Sequence, residues 1–258
     1  MTGTAPMPLP LSAPVNLRDL GGIPVDGGVL RAGFALRADD LAIVTEEVAG
    51  DLVDGGLRAV IDLRSADEVG MTGRGPLGAQ VAVSYHHVPL IVGIGPSDEG
   101  DPLDQTSYAP MYVRMYEGSA PQIVTALAII AYAPGAVAFH CAAGQDRTGV
   151  LAAALLLALG ADVDDIVSDY TRTGESSAAI MARISPMMAP LMARFGLDLE
   201  EAARAALGRE FSPAPMRDLL GTLTERYVDP LTPLRAAGLS DDLVARLRER
   251  AMTPTSAT

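Results

Sequence analysis

A cysteine and an arginine six positions apart, Cys141 and Arg147, are the residues of this chain best placed to do chemistry. They sit in the run 136–158, AVAFHCAAGQDRTGVLAAALLLA. The apolar stretch Ala136 to Phe139 reads as a buried strand. His140 and Cys141 follow, a short loop carries Gly144, and Arg147, Thr148 and Gly149 open a long apolar helix. Strand, tight loop and helix aim a row of backbone N–H groups and a helix N-terminus at one point, which suits a dianionic phosphate. Inside that ring of donors a cysteine is favoured as the thiolate, its nucleophilic form. Arg147 can return over the loop and grip two phosphate oxygens with its planar fork. A nucleophile and a bidentate clamp on one loop suit phosphoryl transfer through a covalent phosphocysteine. The competing reading is an inert core cysteine, which would need no Gly, Arg or Thr around it.

The string His140-Cys141-x-x-Gly144-x-Asp146-Arg147-Thr148-Gly149 resembles the signature loop of the cysteine-based protein tyrosine phosphatases. With Asp before the Arg, it most resembles their bacterial atypical branch, which acts on phosphotyrosine, phosphoserine/threonine and phosphoinositides. A second match lies more than a hundred residues away, in Asn16-Leu17-Arg18-Asp19-Leu20-Gly21-Gly22. Taken alone, that stretch is a turn, with paired glycines permitting a tight bend and Asn16 and Asp19 bonding local backbone. The resemblance continues at Arg37, at Asp62-Leu63-Arg64-Ser65, at Asp169-Tyr170 and at Gly238-Leu239-Ser240.

The resemblance implies an α/β fold, a central mostly parallel sheet flanked by helices, with a helical and lid-like insertion after the signature helix. It implies attack by Cys141, with Arg147 and the backbone of Ala142, Ala143, Gly144, Gln145 and Gly149 holding the phosphate. Thr148 would donate its hydroxyl to the sulfur, and His140 would orient the loop. Arg37, Asp62 and Arg64 are expected at the substrate site, since ligands gather at the carboxyl ends of parallel strands. The alternatives are a solvated edge position for Arg37 and a structural Arg64–Glu68 ion pair.

The general acid breaks the pattern. Many relatives carry an Asp just beyond the strand that ends here at Val88-Pro89, but Ile91, Val92 and Gly93 stand in that place and Asp98 and Asp101 come late. Asp146 is the first candidate, because it lies within reach of the leaving oxygen, and Asp62 is the second. Asp146 could instead be structural, paired to Arg147 or Arg64. Gln145 stands where relatives have Lys, and it keeps hydrogen bonding without the charge that favours inositol polyphosphate headgroups.

The elements around the loop follow from punctuation and periodicity. Met1 to Pro14, with four prolines, is expected as an irregular arm, and residues 15–258 as one phosphatase domain. Val29 to Ala38 reads as a strand, Thr45 caps a helix from Glu46 to Val53, and Leu57 to Leu63 returns as a strand, a βαβ pattern. Val81 to Leu90 alternates as a further strand, and its adjacent His86 and His87 face opposite sides. Tyr108–Gly118, Pro121–Tyr132 and Val163–Thr171 read as helices. Residues 173–227 are expected as a helical subregion, either ordinary core helix or a lid, in which Met181, Met187, Met188 and Met192 lie on a helical segment expected to break at Pro186 and Pro190. Ser240 caps a last helix, acidic in its first turn and Arg-rich in its last.

Composition narrows the function further. The chain has 258 residues, net charge −13, and no lysine, so all 19 basic residues are arginine. Such a chain is poorly suited to nucleic acid or to an anionic membrane surface. A single cysteine leaves no internal disulfide, and it speaks against redox chemistry that needs a resolving thiol. Three histidines without ligand spacing argue against a metal, and no cofactor is expected. Nothing near the start resembles a secretion signal, so the expected location is the cytoplasm. The expected function is phosphate-monoester hydrolysis, foremost as a protein-tyrosine or dual-specificity phosphatase, with phosphorylated proteins or small phosphate monoesters as substrates. Phosphoinositide hydrolysis and a catalytically weak phosphate-binding module are the alternatives.

Overall fold

The computed structural model describes residues 9–90, 108–193 and 211–252. Its centre is a five-stranded sheet ordered β1-β4-β7-β5-β6, built from β1 (Arg18–Asp19), β4 (Ala35–Ala38), β5 (Leu57–Asp62), β6 (Ser84–His87) and β7 (Ala136–His140). β2 (Pro24–Val25) and β3 (Gly28–Val29) form a separate antiparallel ribbon. All pairings in the main sheet are parallel except that of the edge strand β1 with β4.

β7 is the middle strand, and every one of its residues is buried. Its continuous apolar run has that cause, because helices cover both faces of a parallel sheet. Val137 and Phe139 face one core with Ala35, Ala59 and Ile61, whereas Ala138 faces the other with Leu57 and Val60. The first core lies under α3 (Ala109–Gly118), α4 (Ala120–Tyr132), α5 (Asp146–Leu159) and α6 (Val163–Thr171). The second lies under α1 (Glu46–Asp54).

Register decides what meets at the carboxyl edge. His140 of β7 pairs with Ala38 of β4 on one side and with Asp62 of β5 on the other. The segments after these three strands, Asp39-Asp40, Leu63-Arg64 and Cys141-Ala142, therefore emerge side by side. The ends are tied by bonds from Leu63 N–H to the His140 carbonyl (2.9 Å) and from Asp40 N–H to the Ala142 carbonyl (3.0 Å).

Three expectations are corrected. The strand expected from Val29 to Ala38 is two short pieces, because Gly33 turns at φ +70° between them. The expected Val81–Leu90 strand shrinks to Ser84–His87, the four residues that pair with Ala59–Asp62 of β5. The helix expected to break at Pro186 and Pro190 instead runs on as α7 (Ser177–Ala193). Burial of Ile180, Ile184 and Met187 at helical spacing on one face holds it there. The βαβ pattern is parallel, but β4 and β5 are not neighbours, since β7 lies between them.

After α7 come the helices Ala214–Arg226, Thr232–Ala236 and Asp241–Met252, the last capped by Ser240 Oγ on Leu243 N–H at 3.2 Å. Asp98, Asp101 and the side chains of Met188 and Met192 lie outside the description. Among the described residues, no helix is long and apolar enough to cross a membrane.

Candidate active site

Cys141 is 2% exposed, at the mouth of β7, and its Sγ accepts a hydrogen bond from Thr148 Oγ1 at 3.2 Å. The loop reverses at Gly144, whose φ is +70°. A Cβ there would stand 2.5 Å from the Ala38 carbonyl oxygen, so only glycine lets the loop pass over the end of β4. Three consecutive loop carbonyls are held from outside. Ala142 accepts from Asp40 N–H, Ala143 from Asn16 Nδ2 at 3.2 Å, and Gly144 from both Asn16 Nδ2 at 3.3 Å and Arg37 Nη2 at 2.8 Å.

Arg147 leaves the first turn of α5 and meets Glu68 fork to fork, Nη1 to Oε2 at 2.5 Å and Nη2 to Oε1 at 2.8 Å. Glu68 is fixed by its own helix, α2 (Ala66–Thr72), which opens with a capping box. Ser65 N–H donates to Glu68 Oε2 at 2.7 Å, and Glu68 N–H donates to Ser65 Oγ at 3.2 Å. Burial pushes the Glu68 carboxyl up, but the Arg147 fork and the Ser65 donors outweigh it and hold it below its ordinary range. The sequence alternative of an Arg64–Glu68 pair is thereby corrected. Each residue has another partner, because Arg64 turns inward beneath the loop.

Arg64 donates from Nε to Asp62 Oδ1 (2.9 Å), from Nη2 to Asp62 Oδ2 (2.6 Å) and from Nη1 to Asp40 Oδ2 (3.0 Å), and all three residues are buried. Burial disfavours the charge on Asp62. His140 beside it, the Arg64 fork and the Tyr85 hydroxyl more than offset that, holding Asp62 well below the usual carboxylate range. His140 is fully buried, and burial lowers its basicity, with Asp62 and Asp40 opposing part of the fall. Its Nδ1 lies 3.2 Å from both Leu41 N–H and the Cys141 carbonyl, against backbone rather than toward the loop mouth.

A second ionic knot backs the other side of the loop. Asp169 of α6 takes Arg18 Nε on Oδ1 at 2.8 Å and Arg37 Nη1 on Oδ2, and Arg18 Nη1 donates to Asn16 Oδ1 at 2.5 Å. Burial and the neighbouring Arg37 bring Arg18 down to about 10. Arg37 is thus a buried residue under the loop, not a solvated edge arginine.

Asp146, the first residue of α5, accepts the Tyr112 hydroxyl on Oδ1 at 2.5 Å. Burial raises its carboxyl above its ordinary value, with Tyr112 and Arg147 offsetting part of the rise. It makes no pair with Arg64. Above the loop, Ile180, Ile184 and Met187 of α7 cluster with Ile43 and Ala143. Arg183 ties the same helix down, donating to Asp39 Oδ2 at 2.6 Å and to the Asp40 carbonyl at 2.9 Å. A recess between α2 and α7 is lined by Glu68, Met71, Ala142, Ile184 and Met187.

The structure thus brings Cys141, Asp146, Arg147 and Thr148 together around the loop and places Arg37, Asp62, Arg64 and His140 beneath it. Glu68, Tyr112, Asn16 and Asp169 were not singled out as site residues. The capping-box spacing Ser65-x-x-Glu68 was the signal available for Glu68, and Tyr112 carried none.

The model of the family described as the tyrosine phosphatase family matches residues 9–253. The chain belongs to that family. It is 30% identical to the triple specificity protein phosphatase PtpB of Mycobacterium tuberculosis, over 85% of this chain and 91% of that one. It is 33% identical to a tyrosine-protein phosphatase of Nostoc commune, over 52% of this chain and 46% of that one. As a member, the chain is a cysteine-dependent phosphatase, and Cys141 is its single cysteine.

Proposed function

We propose that the chain hydrolyses aryl phosphate monoesters, phosphotyrosine in proteins foremost, with Cys141 as nucleophile and Asp146 as general acid. The observation that carries this reading is the set of bonds around Cys141. Sγ receives the Thr148 hydroxyl, and Arg147 is held in the Glu68 fork. Two of the five guanidinium N–H bonds go to Glu68, leaving the Nε hydrogen and the second hydrogen of each Nη for phosphate oxygens.

In the first step the Cys141 sulfur bonds to phosphorus, the ester P–O bond breaks, and Asp146 gives its proton to the leaving oxygen. In the second, water attacks phosphorus, the S–P bond breaks, and the Asp146 carboxylate takes the water's proton. The Thr148 hydroxyl supports the departing thiolate. Asp146 suits the acid role better than Asp62, because burial favours its protonated form whereas Arg64 and Tyr85 keep Asp62 ionised. Asp62, Arg64, Arg37 and His140 hold the loop from beneath.

A phosphotyrosine preference is supported by the apolar wall of Met71, Ile184 and Met187 beside the loop, by Gln145, and by a net charge of −13 without lysine. Packing of α7 on Ala143 supports a covering role for residues 173–227 within one domain, 15–258, and its expected place is the cytoplasm. The test is phosphate release by wild type and Asp146→Ala across pH from an aryl phosphate, a phosphotyrosine peptide and a phosphoinositide. Preference for the peptide, with loss of the basic limb in the variant, is expected. Preference for the phosphoinositide would overturn the substrate reading, and an unaltered profile would overturn the acid.

A further inference from the structure

Two tyrosines stand behind Asp146, in a part of the fold that the reaction as written does not use. We propose that Tyr112 and Tyr170 form a hydroxyl relay that positions the Asp146 carboxyl and sets the pH range over which it holds its proton. The proposal rests on the reading of Asp146 as the acid.

Tyr112 comes from α3 and Tyr170 from α6, both buried, with ring centroids 6.1 Å apart at an 82° edge-on angle. A phenol has one hydrogen to give. That of Tyr112 goes to Asp146 Oδ1 at 2.5 Å, so across the 2.9 Å contact between the two hydroxyls Tyr170 must be the donor. The direction runs from Tyr170 through Tyr112 to Asp146. Gly149 makes room for it, since a Cβ at that position would stand 3.2 Å from the Tyr170 ring.

Phenylalanine at both positions would pack these helices without any polar group to satisfy, whereas buried hydroxyls cost stability unless bonded. Here the bonds end on a carboxyl. A carboxylate that accepts an O–H is stabilised as the anion, so the relay opposes the lift that burial gives Asp146. Each bond in such a chain polarises the next. An acid held between these two influences can give its proton to the leaving oxygen and then accept one from water. Occupation of Oδ1 by Tyr112 also leaves Oδ2 as the oxygen that carries the proton.

The other charged and titratable groups around Asp146 are already balanced. Arg147 on its own helix pairs with Glu68 of α2, and Arg37 of β4 pairs with Asp169 of α6. Cys141 at the end of β7 receives the Thr148 hydroxyl. Removing a phenol therefore changes the partner that touches the carboxyl and leaves these pairs in place.

The experiment is the pH dependence of kcat/KM for wild type, Tyr112→Phe, Tyr170→Phe and Asp146→Asn, with phenyl phosphate and 4-nitrophenyl phosphate, alongside thermal melts. The basic limb should move to higher pH by about 1 unit in Tyr112→Phe, the size expected for losing one hydrogen bond to a charged group. Tyr170→Phe should shift it less and in the same direction. Both should lose more activity on phenyl phosphate, whose poor leaving group needs the proton, than on 4-nitrophenyl phosphate. If Asp146→Asn removes the limb but both Phe variants, folded like wild type, leave it in place or move it to lower pH, the relay is wrong and the acid stands. A limb that survives in Asp146→Asn would overturn both. Should Tyr112→Phe not fold, Tyr170→Phe alone decides by the same criterion.

Discussion

Glu68 and Arg147 face each other as two planar forks, 2.5 and 2.8 Å apart at their two contacts, and the same Glu68 Oε2 also receives the Ser65 N–H that closes a helix cap. A single carboxylate thus couples the start of α2 to Arg147 of α5. The arginine's plane is set by a secondary-structure terminus and does not depend on substrate to orient it.

Glu68→Gln should therefore cost activity without touching the reacting atoms. One charge-assisted bond is lost, and kcat/KM for an aryl phosphate should fall about ten- to hundredfold, consistent with hydrogen bonds to charged groups. Steady-state kinetics with phosphate as competitive inhibitor check it. Unchanged inhibition and unchanged kcat/KM would show that Arg147 holds its orientation unaided.

Thr148→Val keeps the shape and removes the hydroxyl that reaches Cys141 Sγ. Departure of the thiolate should slow about tenfold or more, the size of losing one hydrogen bond to a charged group. Rapid acid quench with labelled substrate should then show accumulated phosphoenzyme, whereas Cys141→Ser should show none and no turnover, with phosphate binding retained. Turnover by Cys141→Ser would refute the covalent route.

Asp169→Asn strips the counter-charge from the buried Arg37 and the partly buried Arg18 at once. Breaking a buried pair from one side costs about 3–5 kcal/mol, because a charge is left unpaired in a desolvated place. Denaturant unfolding should show a loss of that order, and a loss under about 1 kcal/mol would mean that solvent reaches the knot.

Acid stability has a definite sign. Glu68, Asp62 and Asp169 all titrate below their ordinary values in the folded chain, burial being outweighed by their arginine partners. A carboxylate whose folded value is depressed lends stability that is complete above its unfolded value, about 4, and is lost as pH falls through the folded one. Melting temperature should therefore be level near neutrality and fall steeply below pH about 4. Asp169→Asn should flatten that fall. An equal slope in the variant would count against the assignment.

The shape of the loop was legible in the sequence because it is local: a buried strand, one glycine forced by the Ala38 carbonyl, and a helix that begins at Asp146. Val163–Thr171 was legible for the same reason, being one amphipathic stretch. The residues that hold the loop were not. Asn16 reads as a turn residue, and its Nδ2 bonds to loop carbonyls 127 and 128 positions away depend on β1 joining β4 at the sheet edge. The separation of 79 positions between Glu68 and Arg147 hides a pairing that depends on β5, which leads toward α2, lying beside β7. Val81 to Leu90 failed in the opposite way. Its alternation suggested ten residues of strand, but the partner β5 offers pairing to four.

The carbonyls of Ala142, Ala143 and Gly144 are drawn outward by Asp40, Asn16 and Arg37. In a planar trans peptide the C=O and the following N–H point opposite ways. The N–H groups of Ala143, Gly144 and Gln145 are consequently turned away from those anchors before any anion arrives. Water solvating a phosphate must rotate its dipoles as charge moves from ester to transition state, and that rotation is part of the barrier in solution. In the proposed reaction the loop donors, already turned by those anchors, would make no such rotation. They would act as a solvation shell whose orientation was settled when the chain folded.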